Sequence, residues 1–517
     1  MGKPPPRRWA SMRWCRLCAL VVAAAAEGPG AEEEATCPAG QRCAAQGAAG
    51  GVAHHWPSTR GRDGRLSHSP HVGPRNLSAA LAWTWNHPGG KYHTVINGGP
   101  LIDQDRNIYL TSLDGIRKFD LDGKTLWTFH VESGAMCGMP VLMGAALYAS
   151  ATTGIIFSLS LETGQYIWSV TMPRSIGMDI HSLGIQDNVL LAATGGTLNM
   201  QPPTGNDMVS ALNATDGSLL WEFRPDVATW NFLPVFTEDG TFVFQDQIGG
   251  VYRVRVDSGE LLWRAGYIGH LGETWMDGGV MLGDGIVYAV RTSVPLSMLG
   301  PFRPGDLSAY GLSDGRLLWR QEVPHPPHSW PVVGRLHNSS RPLVLLPIGS
   351  QCGTPGVMSL PPALPTWLKV AVHLFSLWLG DWSRFLWRNP EYPTEVRAFD
   401  AETGAFAWSW APPAWRRLAF PGDEEGLLER LEAGTQPFCI PNPWGSPTLD
   451  AAGTVYLSNM NGHVYAIRDE NGDGAIDHAT EVDSFHAGSA FSHPGPSLAP
   501  GVLAVASCDT LYVFKHE

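Results

Sequence analysis

Charged side chains are scarce. Asp, Glu, Lys and Arg together make up 16% of the 517 residues, against roughly 25% in an average soluble domain. With 59 Gly and 41 Pro, that profile excludes a coiled coil or a long-helix protein, which would be rich in Ala, Glu, Lys and Leu. Positive charge is the scarcer sign: 35 Lys and Arg stand against 48 Asp and Glu, a net charge of −13. Lys3, Arg7, Arg8, Arg13 and Arg16 all fall in the first 26 residues, which hold no acid, so the remainder carries −18. A surface this poor in cations excludes nucleic acid as a partner, since phosphate binding needs surplus Lys and Arg. Long apolar runs are lacking too. The run Leu17 to Ala26 is too short to cross about 30 Å of hydrocarbon. What is abundant is apolar and aromatic: 44% hydrophobic residues and 21 Trp, enough for a large core and incompatible with disorder of the whole chain.

The basic N-terminus, the apolar run and the small residues before Glu27 match a secretory signal cleaved after residue 26. A signal anchor is the alternative, and a lipoprotein signal fits poorly because Cys15 and Cys18 lie before or inside the apolar run. The expected compartment is the secretory pathway, the extracellular space or a periplasm-like space. There the remaining cysteines, Cys37, Cys43, Cys137, Cys352, Cys439 and Cys508, could pair in any of about 15 ways. Cys37 with Cys43 is the simplest local choice. The Asn-x-Ser/Thr triplets at Asn76, Asn213 and Asn338 would be glycosylated in a eukaryotic host. Residues 27–80, rich in Ala, Gly, Pro and His, read as a flexible leader.

From residue 81 a four-strand unit recurs, ending in an acidic Gly turn and a strand that opens with Trp. Its copies are FDLDGKTLWTF (Phe119–Phe129), LSLETGQYIWSV (Leu159–Val170), LNATDGSLLWEF (Leu212–Phe223), VRVDSGELLWRA (Val254–Ala265), YGLSDGRLLWRQ (Tyr310–Gln321) and FDAETGAFAWSW (Phe399–Trp410). A seventh, Val464–Phe485, replaces the turn with a longer acidic loop. Leu81–Trp85 is a closing strand with no preceding three, and Gly488–Phe514 is three strands with no closing one. Each completes the other, which predicts an all-β, eight-bladed propeller over 81–517, shut by its own termini and left with no open sheet edge. Trp127, Trp168, Trp221, Trp263, Trp319 and Trp408 are expected to pack between blades, each indole N–H reaching a backbone carbonyl. An electron-transfer array of these Trp is the sharper alternative.

The D-x-x-T-G-x-x-x-W pattern, as in LETGQYIW and DAETGAFAW, resembles the repeat of quinoprotein-dehydrogenase-like propellers. These include the pyrroloquinoline quinone (PQQ) alcohol dehydrogenases and a non-enzymatic outer-membrane-assembly propeller. The resemblance implies the fold and leaves two activities open. The dehydrogenases carry adjacent cysteines over the quinone, and here no two cysteines are neighbours. Cys15-Arg-Leu-Cys18 is followed by Ala19, so no haem-attachment motif is present. Asp179 and Glu273 are the carboxylates placed to act as a base beside a Ca²⁺-bound PQQ. The leading expectation is a non-catalytic, monomeric scaffold for a protein or glycan, and the second is a PQQ-dependent oxidoreductase.

The seventh unit carries Asp469, Asn471, Asp473 and Asp477 at loop positions 1, 3, 5 and 9, Gly474 at the sharp turn and the Ala475 carbonyl at position 7. That is the oxygen set a Ca²⁺ ion takes from a short loop. Thr480 stands where an EF-hand has its bidentate acid, and the loop is similar instead to the nine-residue calcium hairpins of integrin-type propellers. A metal-free acidic turn is the alternative. Insertions at 195–206, 291–306, 350–394 and 411–440 fall in B–C or D–A connections, which emerge on one face, making that face the candidate binding surface. His93, His181, Trp230, Trp275, Trp330 and Trp444 precede inner strands at its channel mouth, as either a ligand pocket or a plug. Within the largest insertion, Leu368, Ala371, Val372, Phe375, Trp378, Leu379, Trp382, Phe385 and Leu386 follow helical spacing. A helix over 365–388 is thus expected to be a lid or a peripheral membrane or partner contact. A second helix is expected over Asp423–Ala433, ended by Gly434.

Overall fold

The structure is a computed structural model that describes residues 53–62, 67–136, 138–177, 181–195, 205–269, 274, 279–292, 304–351, 364–365, 367–372, 374–375, 391–417, 419–436, 438–439, 441–491 and 493–516. Short, mostly buried strands joined by Gly turns pair in meander order, giving eight four-stranded antiparallel sheets among the described residues. In blade 1 the strands A to D, counted outward from the centre, are Leu101–Ile102, Ile108–Ser112, Gly115–Phe119 and Thr125–His130. Blades 2 to 7 repeat this plan along the chain.

Blade 8 takes its A, B and C strands from Ser497–Ala499, Val502–Ala506 and Thr510–Lys515, and its D strand from Leu81–Asn86. Trp83 lies opposite Val513 and Trp85 opposite Leu511, so the two ends of the repeat region share one sheet as expected. Closure removes the edge strands that an open array would expose.

The blades are held to one another by a recurring staple. Just before each closing Trp the C–D register slips by one residue, leaving Leu126, Ile167, Leu220, Leu262, Leu318 and Ala407 bulged out of the ladder. A bulge bends and twists its strand, and here it turns the indole onto the next blade. Trp83 Nε1 donates to the Leu121 carbonyl at 2.9 Å, Trp127 to Leu161 at 3.1 Å, Trp168 to Ala214 at 2.8 Å and Trp221 to Val256 at 3.0 Å. Trp263 donates to Leu312 at 2.8 Å and Trp319 to Ala401 at 3.2 Å. Each indole also covers a turn Gly of that next blade. A Cβ on Gly259, at φ +73°, would stand 2.7 Å from Trp221, and one on Gly404, at φ +72°, 2.6 Å from Trp319. The expected packing role is therefore present, with its acceptor always in the neighbouring acidic turn. Trp408 faces blade 7, whose turn is the longer loop, and packs in one cluster with Tyr465, Ile476 and Val482.

The insertions fall where expected: between strands B and C of blade 3 (Val189–Thr194 and Met208–Asn213), of blade 5 (Ile286–Thr292 and Gly305–Gly311) and of blade 6 (Leu343–Gly349 and Thr394–Asp400). The fourth joins blade 6 strand D, Phe406–Trp410, to blade 7 strand A, Thr448–Leu449. It contains a helix, Asp423–Glu432, capped by Ala433 and followed by Gly434 at φ +68°. Its Arg430 and Asp423 form a buried pair at 2.6 Å. A disulfide joins Cys439, just beyond that helix, to Cys508 in the B–C turn of blade 8. The sequence left this pairing among many, and Cys37, Cys43, Cys137 and Cys352 lie outside the described residues. Among the described residues no helix is long and apolar enough to cross a membrane.

Candidate functional site: the axial channel and the insert-bearing face

Eight innermost strands surround an axis, and the segment before the first blade occupies it. Trp56 pairs with Ile102 of blade 1 through two backbone hydrogen bonds of 2.9 Å, and the Pro57 carbonyl accepts from Leu142 N of blade 2 at 2.8 Å. Arg60 Nη1 donates to the Val280 carbonyl of blade 5 at 2.6 Å. Trp330 Nε1, at the threshold of blade 6, donates to Ser67 Oγ at 3.3 Å. Ser67 O and Ser69 N then pair with Leu449 of blade 7, both at 2.8 Å. Only a segment lying on the axis reaches blades 1 and 2 as well as blades 5, 6 and 7.

The segment is a strap folded back on itself. His54 Nε2 lies 2.9 Å from the Gly144 carbonyl in the A–B turn of blade 2, and the His71 carbonyl accepts from Ala451 N in that of blade 7 at 3.1 Å. Both limbs therefore cross the face opposite the insertions, and Arg60, which meets the first residue of the blade 5 inner strand, lies toward the insert-bearing face. Beyond it the Pro74 carbonyl accepts from Tyr456 Oη at 3.1 Å, and a short helix, Leu77–Ala80, leads into the closing strand.

This corrects the expectation of a flexible leader through residue 80. Residues 27–52 lie outside the described part, but Trp56, Ser67, Ser69 and Leu77 are each no more than 1% exposed. Low aliphatic content hid the strap, because backbone pairing and one Trp, not a hydrophobic stripe, hold it. Burial lowers the pKa of His54 and of His71, and pulls that of Arg60 down to about 9. At neutral pH the strap thus holds neutral imidazoles and a guanidinium cation.

The residues expected at the channel mouth have different neighbours. Trp330 is fully buried, with the Arg60 guanidinium 4.7 Å above its ring and His493 stacked at 6.0 Å. Trp444 is wedged between blades 6 and 7: its Nε1 donates to the Ile348 carbonyl at 3.0 Å, and its ring meets Tyr465 edge-on. Trp230 is 8% exposed. His93 stacks on His87 at 4.6 Å, and His87 reaches Asp114 at 3.4 Å. Hydrogen bonds from His87, Arg117 and Ser112 outweigh burial and hold the Asp114 carboxyl far below the usual range. His181 pairs by its backbone with Gly138; its side chain, Trp275, Asp179 and Glu273 lie outside the described residues. Asn231, 1% exposed, and Asn442, whose Nδ2 is 3.1 Å from His493 Nδ1, join Trp330 at the threshold; neither carried a sequence signal.

In the acidic loop of blade 7, Asp469 accepts Gly472 N at 2.7 Å and Gly474 N at 3.1 Å. Asn471 Oδ1 accepts Asp473 N at 2.9 Å, Asp473 accepts Ala475 N at 2.8 Å and Asp477 accepts Ala479 N at 2.8 Å. Glu481, 1% exposed, closes the base by accepting Glu470 N and Asp477 N, both at 2.8 Å. The carboxylates are turned onto the loop's own amides, and among the described residues no three His, Cys, Asp or Glu side chains converge as metal ligands. The donor types suit Ca²⁺. The loop lies on the face opposite the insertions. In the largest insertion, residues 367–372 and 374–375 are helical, and 376–390 lie outside the described residues.

Comparison with known proteins places this geometry. An outer membrane protein assembly factor BamB from Yersinia pestis is 24% identical over 241 residues, covering 44% of this chain and 55% of the relative. A second, from Moranella endobia, is 22% identical over 258 residues. The chain spans about half the length of the curated relatives it matches. Among solved structures, BamB from Moraxella catarrhalis superposes with a TM-score of 0.51 at 14% identity, covering 84% of this chain and 97% of that one. Quinohemoprotein alcohol dehydrogenase from Comamonas testosteroni superposes with a TM-score of 0.60 at 12% identity, covering 89% and 80%. At such identities the superpositions establish the fold alone. The family profile described as outer membrane protein assembly factor BamB matches residues 78–190, 112–272 and 247–337. These segments together take in half of the sequence, with the staples of blades 1 to 5, and the chain belongs to that PQQ-repeat propeller family.

Proposed function

We propose that this chain is a non-catalytic propeller scaffold that binds a protein through its insert-bearing face. The observation that carries the reading is the strap: a segment of the chain itself occupies the axis and fills the concave space between the inner strands that a small-molecule ligand would otherwise use. Recognition is thereby left to the insertions of blades 3, 5 and 6 and to the helix Asp423–Glu432, which the Cys439–Cys508 bridge ties to blade 8. Loops fixed on a rigid ring are suited to contact another protein surface. The naming of the curated relatives as assembly factors favours a protein over a glycan. The disulfide suits an oxidising compartment such as the secretory pathway or a periplasm-like space.

The test compares the intact chain with one in which residues 411–440 are replaced by a short Gly/Ser turn, using cross-linking in the native compartment followed by identification of the partners. Loss of a defined, stoichiometric protein partner in the variant alone supports the reading; identical partner sets for both contradict it. The second reading, a PQQ oxidoreductase, rests on the repeat pattern that this chain shares with the PQQ alcohol dehydrogenases. Dye reduction by the purified chain with PQQ, Ca²⁺ and an alcohol would establish it. We further infer that the loop 469–477 takes one Ca²⁺ and braces a hairpin. Calorimetry of the wild type against Asp473→Ala decides this, and undiminished binding in the variant removes the site.

A further inference from the structure

Among the described residues, the buried guanidinium groups meet carboxylates, with one exception. Arg430 pairs with Asp423 at 2.6 Å, Arg253 with Asp239, and Arg117 with Asp114. Arg60, at the tip of the strap, is 3% exposed. Its Nη1 donates to the Val280 carbonyl at 2.6 Å and its plane lies 4.7 Å from the centre of the Trp330 ring. Its Nε and Nη2 have no acceptor, and no described carboxylate forms an ion pair with it. These two nitrogens lie on one edge of the guanidinium and point their N–H bonds in parallel, the fork that grips a carboxylate through both oxygens. A cation this deep is costly unless a counter-charge and the missing acceptors are supplied.

The surroundings are organised around the same indole. His493 stacks on Trp330 and lies 3.4 Å from Asn231 Nδ2; Asn231 is itself buried, with its Oδ1 unpartnered. The Val280 carbonyl and the Trp330 face fix the guanidinium from two directions, so the open edge is oriented in advance. Arg60 also precedes the residues matched by the family profile, which begin at 78.

We propose that the tip of the strap is a carboxylate-binding site: Arg60 takes one small carboxylate anion bidentately through Nε and Nη2, at the insert-bearing end of the axial channel. The site is independent of whether a protein partner docks on that face.

The experiment uses the full chain and ¹³C-labelled acetate. In NMR titrations the acetate signal broadens on adding wild-type protein and is restored by unlabelled acetate but not by chloride at equal ionic strength. The melting temperature rises with acetate above the chloride control. Arg60→Gln weakens acetate binding at least about tenfold, the loss expected for a charge-assisted bidentate pair. Arg60→Lys, which keeps the charge and loses the fork, weakens it too. Absence of broadening with the wild type, equal effects of acetate and chloride, displacement by inorganic phosphate at far lower concentration than by acetate, or unchanged binding in Arg60→Gln would each overturn the proposal. If Arg60→Gln fails to fold, the wild-type competition between acetate, chloride and phosphate decides alone.

Discussion

Substituting Gly259 with Ala perturbs the inter-blade staple in two separable ways. The residue sits at φ +73°, and an added Cβ would stand 2.7 Å from the Trp221 ring. The left-handed backbone costs a non-Gly residue roughly 1–2 kcal/mol. The contact forces the indole off its seat, straining the 3.0 Å hydrogen bond from Trp221 Nε1 to the Val256 carbonyl, a neutral bond of about 1 kcal/mol net. Gly259→Ala should therefore destabilise by roughly 2–3 kcal/mol. Trp221→Ala loses the indole's packing and the bond; because Trp221 is only half-buried, its cost should be about 2–3 kcal/mol, below the range for a fully buried Trp. In the double variant the clash has no target, so only the backbone term of Gly259→Ala remains. The pair should fall short of additivity by about 1 kcal/mol. Denaturant unfolding followed by far-ultraviolet circular dichroism measures all four corners of the cycle without using Trp as the reporter. Strict additivity would refute the argument, because it would mean that Trp221 and Gly259 do not touch across the blade boundary.

Other perturbations have equally definite outcomes. Cys439→Ser with Cys508→Ser opens a loop of sequence separation 69, for which chain entropy gives an upper figure of about 4 kcal/mol. A melting curve that reducing agent lowers in the wild type and leaves unchanged in the double variant is expected. Burial pushes the Asp246 carboxyl up to about 6, so the folded state binds a proton more readily than the unfolded one. From this group stability rises as pH falls from about 6 toward 4, by about 3 kcal/mol, and Asp246→Asn should flatten that part of a pH–stability curve. His54, 4% exposed, has its pKa lowered by burial. Its contribution is fully present above pH 6.5 and is lost as pH falls below it, so amides 54–56 should lose exchange protection at pH 5 relative to pH 7.5, and His54→Gln should lessen that difference.

The propeller was legible because its determinants are local and repeated. Trp127, Trp168, Trp221, Trp263 and Trp319 stand at the same place in successive units, and Leu81–Trp85 lacked the three strands that Gly488–Phe514 supplied. The insertions could be assigned to one face because meander topology fixes which turns share a face. The bulges at Leu220, Leu262 and Leu318 were not legible, since a ladder slip leaves no mark in composition; they explain why two consecutive Leu, such as Leu219 and Leu220, are both exposed. The strap was missed for a different reason. Its contacts join Trp56 to Ile102 and Ser67 to Leu449 through backbone groups, which every sequence possesses. Trp330 and Trp444 both shortly precede their inner strands, which begin at Val332 and Thr448, yet one meets the strap on the axis and the other is wedged between blades. Their different offsets from strands that are only a few residues long could not be read before those strands were placed.

The claim on which the account rests is that the chain fills its own axis. Hydrogen exchange read by mass spectrometry on the peptides covering residues 53–62 and 67–76 addresses it directly. The amides of Trp56 and Ser69 should exchange as slowly as those of the blade strands they pair with. Exchange of both peptides at the rate of an unstructured chain, with the blades protected, would contradict it.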